Sequence, residues 1–127
     1  MECIIVNRIS SANQKDGYSL DAQERYGRLY AEDKKFQILK EYSFQETASK
    51  YAQRKKFGEI LDFISQYSKK TPLIVVAEKP DRIGRNHRDK EFLQDLFLQG
   101  KIEIHYYKES KIFDKNSDPS MIFMDDV

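Results

Sequence analysis

A chain of 127 residues, 39% hydrophobic and 13% aromatic, suits one domain around one packed core. Charged residues make up 34% of it, yet the net charge is only +1, which argues against a protein that holds DNA by bulk charge alone. One cysteine, Cys3, excludes an internal disulfide, and no apolar run approaches the roughly 20 residues of a membrane span. "CIIV" is too short and lacks the basic flank of a signal peptide, so a cytoplasmic protein is expected.

Residues 2–6, "ECIIV", read as a buried strand, with Cys3 a small core residue. Residues 19–35 read as a helix with Ser19 as N-cap and Ala22, Tyr26, Leu29 and Tyr30 on its inward face. "FQILKEYSF" (36–44) alternates weakly and suits a second strand. A second helix is predicted over 54–68, with Phe57, Ile60, Leu61 and Ile64 at helical spacing. "PLIVVA" (72–77) is an unbroken apolar run, the mark of a central strand covered on both faces. A third helix follows over 87–99, with Leu93, Leu96 and Phe97 inward and Gly100 as its stop. "KIEIHYY" (101–107) is the last strand of the walk.

Strands and helices that alternate in this way predict an α/β fold. The sheet should be mainly parallel, with four to five strands, flanked by helices on right-handed crossovers. The tail "NSDPSMIFMDDV" (116–127) opens as a helix would, with Asp118 as N-cap and Pro119 in the first turn. Four apolar residues follow and the chain stops, so residues 1–127 are expected to be one domain cut inside a longer helix. The alternative is a short helix docked on the core.

In an open parallel sheet the ligand site lies beyond the carboxyl ends of the strands. Three polar clusters fall there. Arg8, Ser10, Ser11 and Gln14 follow the first strand; Glu46, Ser49 and Arg54 follow the second; Asp81, Arg82 and Arg85 of "DRIGR" follow the third. Several arginines with a serine suit attack on a phosphodiester. Guanidinium groups stay charged at any working pH and grip two phosphate oxygens at once. Removing one such donor from a dry site typically costs about 2.7–4 kcal/mol of transition-state stabilisation. His87 and His105 have no ligand-like neighbours, so no metal site and no cofactor are expected. Each cluster also has a plain structural reading. The serines could satisfy backbone donors in a turn, Arg54 could be a solvated first-turn residue, and "DRIGR" could be a turn closed by an ion pair.

"NRISSANQKDGYSLDAQ" resembles the opening motif of the serine recombinases, and "KPDRIGRN" resembles their Asp-Arg-aliphatic-x-Arg motif. "ETASKYAQRKKFGEIL" resembles, more loosely, the segment between them. The resemblance implies a resolvase-like catalytic domain, truncated at the start of its long oligomerisation helix. It implies Ser10 as nucleophile, Arg8, Arg82 and Arg85 on the scissile phosphate, and Arg54 as the middle-motif arginine. Gln14 and Gln23 match the glutamines that line the site, and Ser49 is carried over as the middle-motif serine. Asp81 matches the motif aspartate. It is expected to orient arginines, since a carboxylate among guanidiniums is a weak base.

Two departures stand out: Val6 replaces the family's usual tyrosine, and Ser49 is five residues before Arg54 where six is usual. The stretch from Ser10 to Gln23, with its "GYSL" insert, is similar to that of the large serine recombinases. Their partners are double-stranded DNA sites and other copies of the same chain, as dimers and tetramers. A decayed recombinase-like domain that only dimerises or associates with DNA is the first rival. A nucleotide-binding α/β domain is the second, but it needs a glycine-rich loop after the first strand, and only Gly17 is there.

Overall fold

In the computed structural model the run Leu73–Ala77 is buried at every position and forms the middle strand of five. The structure describes residues 1–10, 17–46, 50–84 and 86–124, with backbone only at positions 10, 46 and 50–54. The elements are β1 (Glu2–Ser10), α1 (Leu20–Asp33), β2 (Gln37–Glu46), α2 (Lys50–Gln66), β3 (Leu73–Ala77), α3 (His87–Leu98), β4 (Ile102–Tyr106) and β5 (Lys111–Phe113). Short 3-10 turns cover Pro80–Arg82 and Pro119–Met121.

The strand order is β2-β1-β3-β4-β5. The first four strands are parallel, and β5 runs antiparallel to β4. The chain leaves β1 toward β2, then returns across it to build β3 and β4. The order therefore reverses between β1 and β3, and the crevice at that switch point is where open sheets of this kind bind ligands. Ala31 of α1 packs on Cys3, Ile5, Ile74 and Val76 on one face. Ile60 and Ile64 of α2 and Leu93, Leu96 and Phe97 of α3 pack on Ile4, Val6, Val75 and Ile104 on the other.

Helix ends are set by local chemistry. The Ser19 hydroxyl accepts from the Ala22 N–H at 3.2 Å, and the Asn86 side chain accepts from the Asp89 N–H at 2.8 Å. Gly100 stops α3 at φ 76°. There its N–H reaches the Phe97 carbonyl and the Lys101 N–H reaches that of Leu96, both at 3.0 Å. Helix α1 closes with the same pair of bonds, from Lys35 to Glu32 at 3.0 Å and from Phe36 to Ala31 at 2.9 Å. The left-handed position is there taken by Lys35, at φ 61°.

Four expectations need correction. First, β1 runs on to Ser10, beyond residue 6, because pairing with β2 continues from Asn7↔Ser43 to Ser10↔Glu46. Secondly, the buried stripe of α1 is Gln23, Gly27 and Ala31, while Tyr26 and Leu29 are exposed. A Cβ at Gly27 would stand 2.9 Å from the Ile5 side chain, so the helix is seated by small residues and its tyrosines lie on the flanks. Thirdly, α2 begins at Lys50, before residue 54. Fourthly, the sheet extends past the strand expected at 101–107: the chain reverses at Ser110, φ 54°, into β5, which makes up the upper end of the four to five strands expected.

The tail keeps its expected cap, with Asp118 accepting from the Ser120 N–H at 3.0 Å, but it makes a single 3-10 turn as far as it is described. Ile122 is fully buried and its carbonyl accepts from the Tyr106 hydroxyl at 3.0 Å. The Phe123 ring lies where a Cβ on Gly84 would have to be. The tail is therefore seated directly on the "DRIGR" turn.

Candidate active site

Arg8 is the last β1 residue but two, and both its backbone and its side chain are committed. Pairing of β1 with β3 ends at Val6↔Ala77, so Arg8 has no strand on that side. The Gln23 side chain takes the missing strand's place. It accepts from the Arg8 N–H at 3.0 Å and donates to the Arg8 carbonyl at 3.0 Å. The same amide nitrogen donates to the Tyr18 carbonyl at 3.0 Å, and Gln23 is fully buried. An apolar residue in its place would leave these groups without partners, at about 1–3 kcal/mol each.

The Arg8 guanidinium is buried and donates to the backbone carbonyl of Asp81, 73 residues away. That contact bridges the switch point and joins the first cluster to the third. Arg82 is also buried, and its Nε lies 2.9 Å from Oε1 of Glu78. The Glu78 carboxylate is fully buried. Its Oε2 accepts from the Tyr18 N–H at 2.9 Å and lies 3.4 Å from Nζ of Lys108. Asp81 contributes mainly its carbonyl. Its carboxylate is half-exposed, 3.7 Å from Lys79 Nζ and 3.8 Å from Arg82 Nε. Asp81 thus meets both Arg8 and Arg82, and Glu78 is the buried carboxylate that grips Arg82.

Tyr106 and Tyr107 are not ready bases. Burial, and after it the charge of Glu78, pushes the Tyr107 hydroxyl well above its ordinary range. It donates to the Gln23 carbonyl at 3.3 Å. Burial likewise raises Tyr106, with Asp81 adding to the effect. The Tyr18 ring stacks on that of Tyr107, with centroids 6.5 Å apart, and Lys108 Nζ lies over the Tyr18 ring, 4.9 Å from its centroid. These rings pack the chain at Tyr18 against the turn after β4.

The resolvase N-terminal domain matches residues 3–126 of this chain. The chain belongs to that family. Resolvase-type folds recur among solved structures. The N-terminal catalytic domain of TP901-1 integrase is 24% identical, with 88% of this chain and 81% of that one covered and a TM-score of 0.66. A resolvase family site-specific recombinase from Streptococcus pneumoniae is 19% identical, covering 96% and 80%, at 0.69. The C-terminal catalytic domain of ISC1926 TnpA, an IS607-like serine recombinase, is 24% identical, covering 83% and 68%, at 0.61. At these identities the likeness is one of fold. No curated protein matches the chain.

Within this resolvase-type domain, Arg8, Gln23, Asp81 and Arg82 meet at the switch point. Ser10 lies in β1 two residues beyond Arg8, and Arg54 lies in α2; their side chains are outside the described residues, as are Gln14, Ser49 and Arg85 entirely. Sequence reasoning missed Glu78, Tyr18 and Lys108. Only Glu78 left a signal: a carboxylate placed directly after a fully apolar strand and four residues before Arg82. Among the described residues no group of three or more His, Cys, Asp and Glu could hold a metal ion, and no helix is long and apolar enough to cross a membrane.

Proposed function

We propose that residues 1–127 form the catalytic domain of a site-specific DNA recombinase of the serine class, with the motif spacing of the large serine recombinases. The observation that carries this reading is the Arg8–Asp81 contact, which draws two arginine-bearing motifs to one crevice beside the end of the strand that holds Ser10. Family membership supports the same chemistry.

In this reading the Ser10 oxygen attacks the phosphorus of a DNA phosphodiester. A 5′-phosphoseryl bond forms as the bond to the 3′ oxygen breaks. The serine proton leaves to a base, and the departing oxygen gains one to become a 3′-hydroxyl. Attack by a 3′-hydroxyl from partner DNA reverses the step and releases the serine. One ester replaces another, so the bond energy is retained and ATP is not required. Arg8, Arg82, Arg85 and Arg54 hold the phosphate oxygens, supplying charge that a metal ion supplies in other phosphoryl-transfer sites. Gln23 holds the Arg8 backbone, Asp81 offers its carbonyl to Arg8, and Gln14 and Ser49 complete the lining. The partners are double-stranded DNA and further copies of the chain, with a dimer or tetramer as the working assembly.

The test is a Ser10→Ala variant of the full-length protein on a nicked recombination site. Wild type should accumulate a covalent protein–DNA adduct and the variant none. An adduct that persists in the variant rejects Ser10 as nucleophile. A wild type that binds DNA but never forms an adduct favours the decayed, non-catalytic domain.

A further inference from the structure

Glu78 joins three chain segments that are distant in sequence. Through Oε1 it holds Arg82 of the "DRIGR" turn, at 2.9 Å. Through Oε2 it holds the Tyr18 N–H, just ahead of α1. The same oxygen lies near Lys108, in the turn after β4. Gly17 is fitted to this cluster. A Cβ there would overlap the Arg82 guanidinium and come within 2.8 Å of Glu78 Oε2.

The geometry of the pair decides its use. Glu78 engages Arg82 through Nε, on the guanidinium's side. A guanidinium carries five N–H donors in a planar fork, so a bond at Nε fixes the plane while the terminal nitrogens keep most of their donor capacity. Glu78 also shares its charge with Lys108, so it does not cancel the charge of Arg82 alone. A buried carboxylate used this way is a mount for an arginine, and it ties that arginine to the backbone at Tyr18.

We propose that Glu78 is a positioning residue for strand cleavage, setting the plane of the Arg82 guanidinium relative to the backbone at Gly17 and Tyr18. The proposal rests on the recombinase reading of this site. It differs from a merely structural ion pair in what it predicts: the chemical step suffers much more than DNA binding does, and it suffers through Arg82.

The experiment uses the full-length protein in single-turnover cleavage of a nicked recombination site, with DNA affinity and thermal unfolding measured alongside. Glu78→Gln should slow adduct formation about 100-fold, the scale of a small misplacement in a reacting geometry, while the DNA dissociation constant changes less than about threefold. In an Arg82→Lys background, which lacks Nε in a fork, the same substitution should cost less than about threefold more. A folded Glu78→Gln protein that cleaves at the wild-type rate overturns the proposal, as does an undiminished loss in the Arg82→Lys background. Where Glu78→Gln fails to fold, Glu78→Asp carries the test. It keeps the charge on a shorter stem, and a folded variant slowed tenfold or more supports the proposal, whereas one at the wild-type rate overturns it. Wild-type and Ser10→Ala controls separate the two readings. If they behave as the recombinase reading requires and only the Glu78 variants are normal, this inference alone fails.

Discussion

Replacing Gln23 with leucine tests whether one side-chain amide completes the sheet where β3 stops. Gln23 is fully buried and serves three backbone groups: the Arg8 N–H, the Arg8 carbonyl and the Tyr18 carbonyl. Leucine has a similar volume, so little cavity forms, but it serves none of them. Three orphaned groups cost about 1–3 kcal/mol each. The added apolar burial returns about 1.5–3 kcal/mol. At the middle of these ranges, about 2 kcal/mol for each group less about 2 kcal/mol returned, the net loss is about 4 kcal/mol, a large part of the 5–15 kcal/mol typical of a domain. Urea denaturation at pH 7 should show the midpoint falling with the slope unchanged. Gln23→Glu refines the test. A carboxylate still accepts from Arg8 but confronts two carbonyls, so its folded-state pKa must rise. Its deficit should shrink as pH falls from 7 to 5, because protonation restores one donor. A leucine variant within 1 kcal/mol of wild type would refute the reasoning, and so would a glutamate variant whose deficit ignores pH.

Other expectations follow from the fold and its buried groups. Lys35 closes α1 in the left-handed region at φ 61°, so Lys35→Gly should raise stability by roughly 0.5–1 kcal/mol, measured as an upward shift in Tm. His105 is buried with Nδ1 2.7 Å from the Tyr30 hydroxyl, and burial, then the charge of Lys34, lowers its pKa from 6.5 to about 4. The unfolded chain therefore binds the proton first, and stability is complete above pH 6.5 and declines as pH falls toward 4. The loss from this one group is about 3 kcal/mol. Denaturation between pH 7 and 4 should show that decline, and His105→Leu should lose it.

The layout of the fold was legible because its strongest signals are local. "PLIVVA" could only be a strand covered on both faces, and Ser19, Asn86 and Gly100 mark helix ends by chemistry that needs no tertiary context. The length of β1 was not legible. Its polar half, Asn7 to Ser10, is held extended by the β2 ladder and by Gln23, a residue from the following helix. The inward face of α1 was misread for a related reason. Hydrophobicity pointed to Tyr26 and Leu29, but the close approach of Gly27 to Ile5 turns Gln23, Gly27 and Ala31 inward. Among the described site residues, motif spacing pointed to Arg8, Asp81 and Arg82, which meet at the switch point. The part each atom plays was not legible: Asp81 meets Arg8 through its backbone, and Glu78, outside the motif as it was read, holds Arg82. Lys108 could not be found from sequence, because only the turn between β4 and β5 brings it to Glu78.

The most direct test of the central claim is to locate the phosphate. Full-length protein is reacted with a nicked recombination site, the DNA of the trapped complex is digested away, and the modified peptide is sequenced by mass spectrometry. The account predicts a single phosphoserine at position 10, on the strand that carries Arg8. A phosphate mapped to Ser11, Ser49 or any other residue would contradict it.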